Sequence, residues 1–283
     1  MLTLWQAIIL GAVQGLTEFF PVSSTAHLIL IPWLFHWASD GGLTFDVALH
    51  AGTLAAVVGF FFMTWIRIIR AGFGAAIDIH TGAPISGAAL QTQRRLLWFL
   101  LLATIPGAII GLLFNKQIET TWRNPLIIAA SLILVALVMA WADRAPAQDK
   151  DYDQVSGMQA WWIGCAQAVA VIPGVSRSGA TITAGLFAGL TREAATRFSF
   201  LLATPIIAGA VLDKAHQIHK TGMAPGMGGP FLAGVVTSAL VGLLAIGLFL
   251  RFLRSRTFTF FVWYRIVLGL VVLGLFWHGF RQF

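Results

Sequence analysis

Two polar stretches interrupt an otherwise apolar sequence: EFFPVSSTAH over residues 18–27 and PGVSRSGAT over residues 173–181. The first offers a carboxylate (Glu18), three consecutive hydroxyls (Ser23, Ser24, Thr25) and an imidazole (His27). The second sets a guanidinium, Arg177, between Ser176 and Ser178, with Thr181 one helical turn further on. Ionisable groups at membrane depth are costly and are kept there for a task. Arginine, clustered hydroxyls and tight Gly/Pro turns that open helices are the groups that hold a phosphate. Gln14 and Glu18, four apart, share a helix face, and Pro21 ends that half-helix. Ser23, Ser24 and Thr25 are N-cap candidates for the half-helix that carries His27. In the second stretch Pro173-Gly174 makes the turn, and the next half-helix opens at Gly179. Should the two stretches meet, two helix N-termini, each worth about half a positive charge, converge with Arg177 on one anion site.

A protonatable pair beside such a site suits proton transfer to an attacking or leaving oxygen. Glu18 and His27 form that pair. Either Ser24 attacks as nucleophile, or Glu18 and His27 activate a water. Glu18 is also the candidate ligand for a divalent cation, magnesium or calcium, whose ligands would be oxygens.

The elements that must carry these groups follow from the hydropathy. Of 283 residues 58% are hydrophobic and 10% charged, which places the chain in the membrane class. The apolar runs do not alternate, so they read as helices and not as barrel strands. Six are long enough to span: 44–66, 95–114, 125–142, 193–212, 230–250 and 260–280. Two more are broken. Residues 2–20 run into Pro21, and 24–37 is interrupted by Pro32; residues 158–172 run into Pro173, and 178–190 is short. Each pair is predicted to be a re-entrant helical hairpin, with irregular backbone buried in protein or facing a wet cavity.

The halves repeat. At an offset of 153, Gln6-Ala7 matches Gln159-Ala160, Gly11 matches Gly164, Gln14 matches Gln167, Ser23 matches Ser176, Phe45 matches Phe198 and Leu49 matches Leu202. A hairpin plus three spans per half puts the halves in opposite orientations. The expected fold is therefore an all-α integral membrane domain over 1–283, with 1–142 and 158–283 as inverted-topology repeats. Loop charge agrees, with eleven Lys/Arg on the side assigned to the cytoplasm. Five (Lys116, Arg123, Lys214, Lys220, Arg281) lie on the other, where both termini are expected.

Other features are read as structural. The net charge of +7 is spread over connecting loops, which excludes a nucleic-acid face. Cys165 is the single cysteine, so no intramolecular disulfide forms. Gln14 and Gln167 are expected to cross-link helices, and His50 and Arg265 to make helix-to-helix polar contacts. His216 and His219 are read as solvated residues of a Lys/Gly/Pro loop.

The stretches QGLTEFFPVSSTAHL and PGVSRSGATI resemble the two signature motifs of the undecaprenyl-pyrophosphate phosphatase family of the bacitracin-resistance type. The similarity runs over essentially the whole chain, RFSFLLATPIIAGA included. It implies hydrolysis of a C55 isoprenyl diphosphate to the monophosphate and inorganic phosphate, recycling a lipid carrier for cell-wall sugars. It also implies a multi-pass protein of the bacterial inner membrane without an organic cofactor, and leaves homo-oligomers open. Glu18, Ser23, Ser24, Thr25, His27, Ser176, Arg177, Ser178 and Thr181 fall on the family's functional positions. Gln14 replaces the first acid of the family's acid-x-x-x-Glu pattern, so its roles pass to Glu18, and Ala26 replaces a common glycine. Gln14, Ser23, Thr25, Ser176, Ser178 and Thr181 are accordingly assigned to substrate binding. An inverted-repeat secondary transporter or lipid flippase is the competing class. An acid-phosphatase-like lipid phosphatase would show a histidine and then an aspartate soon after Ser-Arg, and SGATITAGLFAGL contains neither.

Overall fold

A computed structural model describes residues 2–37, 41–74, 87–114, 117, 120–145, 148–222 and 225–279. Met1, Lys116 and the chain from Phe280 on, Arg281 included, lie outside the described residues. Among the described residues there are eleven α-helices: α1 (Leu4–Phe19), α2 (Ser24–Leu34), α3 (Gly42–Phe60), α4 (Phe62–Gly72), α5 (Ala88–Leu113), α6 (Pro125–Ala142), α7 (Gly157–Val169), α8 (Arg177–Phe187), α9 (Arg192–Thr221), α10 (Gly228–Leu253) and α11 (Thr259–Trp277). Six of them, α3, α5, α6, α9, α10 and α11, are long and apolar enough to cross a membrane. They coincide with the six expected spans.

Three features differ from expectation. Helix α2 runs through Pro32 to Leu34, where an interruption was expected. The run expected to span 44–66 breaks at Phe61 (φ −99°, ψ 18°), and α4 starts afresh at Phe62. Phe61 is buried and meets Phe200 edge-on at 6.4 Å, so the chain turns to bury this ring while Phe60 stays exposed. The stretch expected as a Lys/Gly/Pro loop continues α9 as helix to Thr221. Lys214 donates to Gln217 Oε1 (3.0 Å) and Gln217 to Asp213 Oδ2 (2.8 Å), pairs at helical spacing that favour this continuation. His216 and His219 stay exposed on it.

The offset of 153 is visible in the helices. Thr3 with Gln6 and Ser156 with Gln159 form capping boxes that start α1 and α7. Ser23 and Ser176 are the N-caps of α2 and α8, which both run for 11 residues. Pro21 and Pro173 sit in the turns between, where the missing N–H stops the incoming helix. Packing is exchanged between the halves: α1 and α3 lie along α10, while α7 and α9 lie along α5. Helices α3 and α9 pack together, as do α6 and α11. The exchange depends on glycine at matched positions, because a Cβ at Gly11 would strike Gly234 O and one at Gly164 would strike Ala103 O. Beneath the two turns lies an aromatic cluster, with Phe19 edge-on to Phe200 (5.1 Å) and Phe20 against Phe249 and Phe261.

Candidate active site

The α1–α2 and α7–α8 turns meet. Each presents its N-cap serine with a left-handed backbone, Ser23 at φ 72° and Ser176 at φ 73°. Such a conformation in a non-glycine residue costs on the order of 1–3 kcal/mol and persists only where surroundings enforce it. Part of the enforcement is the cap: Ser23 Oγ accepts from Ala26 N (3.4 Å), and Ser176 Oγ from Gly179 N (3.1 Å). The first helical residues after these caps are Ser24 and Arg177, equivalent positions at the offset of 153.

Glu18 joins the two. Its Oε1 accepts from Arg177 Nη2. Its Oε2 accepts from the Ser24 hydroxyl at 2.6 Å and from Gln14 Nε2 at 3.0 Å, with His50 Nε2 3.4 Å away. A hydroxyl within hydrogen-bond reach of a carboxylate base is the arrangement of an activated nucleophile. The group opens on a cavity of about 150 Å³, whose polar wall is Glu18, Ser23, Ser24, Thr25, His50, Gln167, Ser176 and Arg177. Ala170, Val171, Ile172 and Ile206 supply the apolar part. Two helix N-termini and a guanidinium thus face one space, the setting for a phosphate.

Six of the ten residues singled out from the sequence therefore line the cavity, and four do not. Gln14, expected to cross-link helices, instead stands behind Glu18 as a donor on the same helix, and its Oε1 has no hydrogen-bond partner. Ser178 Oγ donates across the turns, 3.1 Å from Phe20 O and 3.3 Å from Glu18 O. Thr181 Oγ1 bonds Arg177 O (2.8 Å) and Ser199 Oγ (2.6 Å), pinning the first turn of α8 to α9. His27 Nδ1 donates to Ser23 O at 2.7 Å, and its Nε2 lies 2.6 Å from the Tyr264 hydroxyl on α11. With Nδ1 carrying the proton, a neutral ring accepts from Tyr264 at Nε2. The two rings lie nearly parallel, 9° apart.

Two residues of the wall were read otherwise from the sequence. His50 does make a helix-to-helix contact, but its partner is Glu18 itself; its Nδ1 donates to Asp46 O one turn back (2.7 Å), leaving Nε2 aimed at the carboxylate. Gln167, expected to cross-link helices, is buried, and neither Nε2 nor Oε1 has a hydrogen-bond partner. Its amide packs against Gly107, where a Cβ would sit 3.2 Å from Nε2. The repeat held the signal, since Gln167 is the mate of Gln14. His50 has no polar mate at that offset, where Ala203 stands.

The bacitracin resistance protein BacA family model matches residues 7–271. The chain is 48% identical to the undecaprenyl-diphosphatase of Moorella thermoacetica, over 98% of this chain and 99% of that protein. It is 46% identical to the undecaprenyl-diphosphatase of Pelotomaculum thermopropionicum over 97% of each, and 44% identical to that of Geobacter metallireducens over 94% and 96%. With six span-length apolar helices and a match of this extent, the chain is a multi-pass membrane protein and belongs to the bacitracin resistance protein BacA family.

Proposed function

We propose that this protein hydrolyses undecaprenyl diphosphate to undecaprenyl monophosphate and inorganic phosphate. The observation that carries the reading is the continuous Ser24–Glu18–Arg177 chain of bonds at a cavity where two helix N-termini open. The terminal phosphoryl group would take Arg177, the Ser176 and Thr25 hydroxyls and the α2 and α8 N-termini as its partners. Its arrival displaces Glu18 from Arg177 and leaves the carboxylate to Ser24. Ser24 Oγ then attacks the terminal phosphorus while Glu18 removes its proton, and the bond to the bridging oxygen breaks to release the monophosphate. Glu18 passes that proton to the departing bridging oxygen. Water next attacks the phosphoserine and gives a proton to Glu18, which returns it to the Ser24 oxygen as that oxygen leaves phosphorus and inorganic phosphate is released. Arg177 offsets charge on the phosphoryl oxygens in both steps. His27 belongs behind the cavity, where its bond to Ser23 O steadies the turn.

The divalent cation meets one carboxylate, Glu18, whose oxygens already serve Arg177, Ser24 and Gln14. Magnesium or calcium would have to draw its remaining oxygens from the diphosphate, so no step above is routed through it. Two re-entrant hairpins in inverted repeats, set in the bacterial inner membrane, are part of the same proposal. The matched serine caps and the exchange of helix contacts support the repeats. The transporter or flippase reading is not favoured, since the relatives bear the name of a phosphatase.

Phosphate release by the purified protein in detergent micelles tests the proposal, because micelles hold no gradient. Arg177→Ala is expected to abolish release while the protein stays folded. Near wild-type turnover by that variant refutes the reading.

A further inference from the structure

Arg265 lies within α11, one of the span-length apolar helices, and is fully buried. A guanidinium in such a position calls for a purpose. Its hydrogen bonds run to main-chain carbonyls. Nη1 donates to Pro21 O (2.9 Å); Nη2 donates to Gly174 O (2.9 Å) and Val175 O (3.1 Å) and lies 3.3 Å from Ser131 O; Nε donates to Leu132 O (3.2 Å). Pro21 belongs to the α1–α2 turn, Gly174 and Val175 to the α7–α8 turn, and the last two acceptors to α6. One planar fork therefore grips both interrupted turns and anchors them to a third element.

The grip also sets a peptide plane. In a trans peptide the N–H points opposite to the C=O. With Val175 O turned to Arg265, the N–H of Ser176 is directed away from it. Ser176 and Arg177 line the cavity and Arg265 does not. Lysine has no equivalent, since its three donors radiate from one point and lack the planar fork.

We infer that Arg265 is a positioning residue for the hydrolysis: it fixes the two turns against each other and so sets where Arg177 stands relative to Glu18 and Ser24. The inference rests on the phosphatase reading for its catalytic part. Ser178, donating to Phe20 O, is a second tie across the same joint.

The test compares wild type, R265K, S178A and the double variant, each purified in micelles and checked for a folded, monodisperse state. Displacement of a reacting group by an ångström costs on the order of a hundredfold. R265K is expected to lose about that much in kcat on undecaprenyl diphosphate, with KM changed by less than about threefold. The double variant is expected to lose less than the product of the two single losses, because both residues hold one joint. Hydrogen exchange separates the clamp from the activity: R265K should exchange faster at residues 20–23 and 170–176, with α3 and α10 unchanged. Should R265K fail to fold, R265Q, a neutral donor, takes its place in every arm. A folded variant with wild-type kcat overturns the inference, as does a change confined to KM or unaltered exchange in either turn. Absence of phosphate release by the wild type defeats the phosphatase reading instead, and the exchange measurement then decides the clamp by itself.

Discussion

Replacing Glu18 by Gln keeps the shape of the site and removes its charge, and it should separate binding from chemistry. In the resting protein Arg177 is satisfied by Glu18, so an incoming phosphate competes with a carboxylate already in contact. Two unit charges about 4 Å apart interact by about 4 kcal/mol at an effective dielectric constant of 20. Recovering only a third of that on removal of the carboxylate corresponds to about tenfold tighter anion binding. Glutamine can still accept from Arg177 through its amide oxygen, but it cannot take the Ser24 proton. Loss of a general base costs about 10²–10⁴ in rate. E18Q is thus expected to bind inorganic phosphate about tenfold more tightly while kcat falls by at least about a hundredfold. Phosphate affinity is read by titration calorimetry on the purified variant, and turnover by release of inorganic phosphate. Weaker phosphate binding than wild type, or turnover within about threefold of it, would refute the view of Glu18 as both resident counter-ion and base. The fold should lose stability as well, by at most about 3–5 kcal/mol, because the part-buried guanidinium is left without a full counter-charge. A thermal melt checks this.

Ser24→Ala should abolish the phosphoserine trapped by acid quench from wild type; an equal yield of labelled protein from the variant would assign the nucleophile elsewhere. Thr181→Val leaves Ser199 Oγ without its 2.6 Å partner and should cost about 1–3 kcal/mol in the melt, with a smaller effect on KM than any change at Arg177. Gly164→Val drives side-chain carbon into Ala103 O, and overpacking of this kind costs about 1–3 kcal/mol; an unchanged melt would show that the α5–α7 contact is looser than described. His50→Ala removes the imidazole 3.4 Å from Glu18 and should lower kcat more than His50→Gln, which retains a donor; equal kinetics for the two would deny His50 any contact role with Glu18.

The turns were legible because Pro21 and Pro173-Gly174 fall beside clustered hydroxyls and an arginine, which have no packing reason to cluster in apolar sequence. Proline alone was no guide, since Pro32, Pro106 and Pro205 lie inside helices. The spans were legible from length alone. What one dimension cannot convey is which way a side chain points once the turn has formed. His27, nine residues from Glu18, is paired with it on sequence grounds, yet its Nδ1 is taken by the Ser23 carbonyl of its own turn, and the rest of the ring faces Tyr264. His50 is far from Glu18 in sequence and meets it only because α3 packs beside α1. The break at Phe61 follows from an aromatic contact with α9 that hydropathy does not record. Arg265 illustrates the same limit, since five carbonyl acceptors drawn from three segments leave no pattern in the chain.

The left-handed serines have a consequence for anyone reading mutants at these positions. Ser23 and Ser176 each meet two demands at once, a backbone angle that glycine tolerates best and a hydroxyl that closes the first turn of the following helix. Alanine fails both demands together, so its phenotype would mix a misfolded loop with a missing oxygen. Glycine relieves the first while withholding the second, and asparagine offers both in a longer arm. Only the set of three, compared side by side, separates what the hydroxyl does for a phosphate from what it does for the shape of the loop.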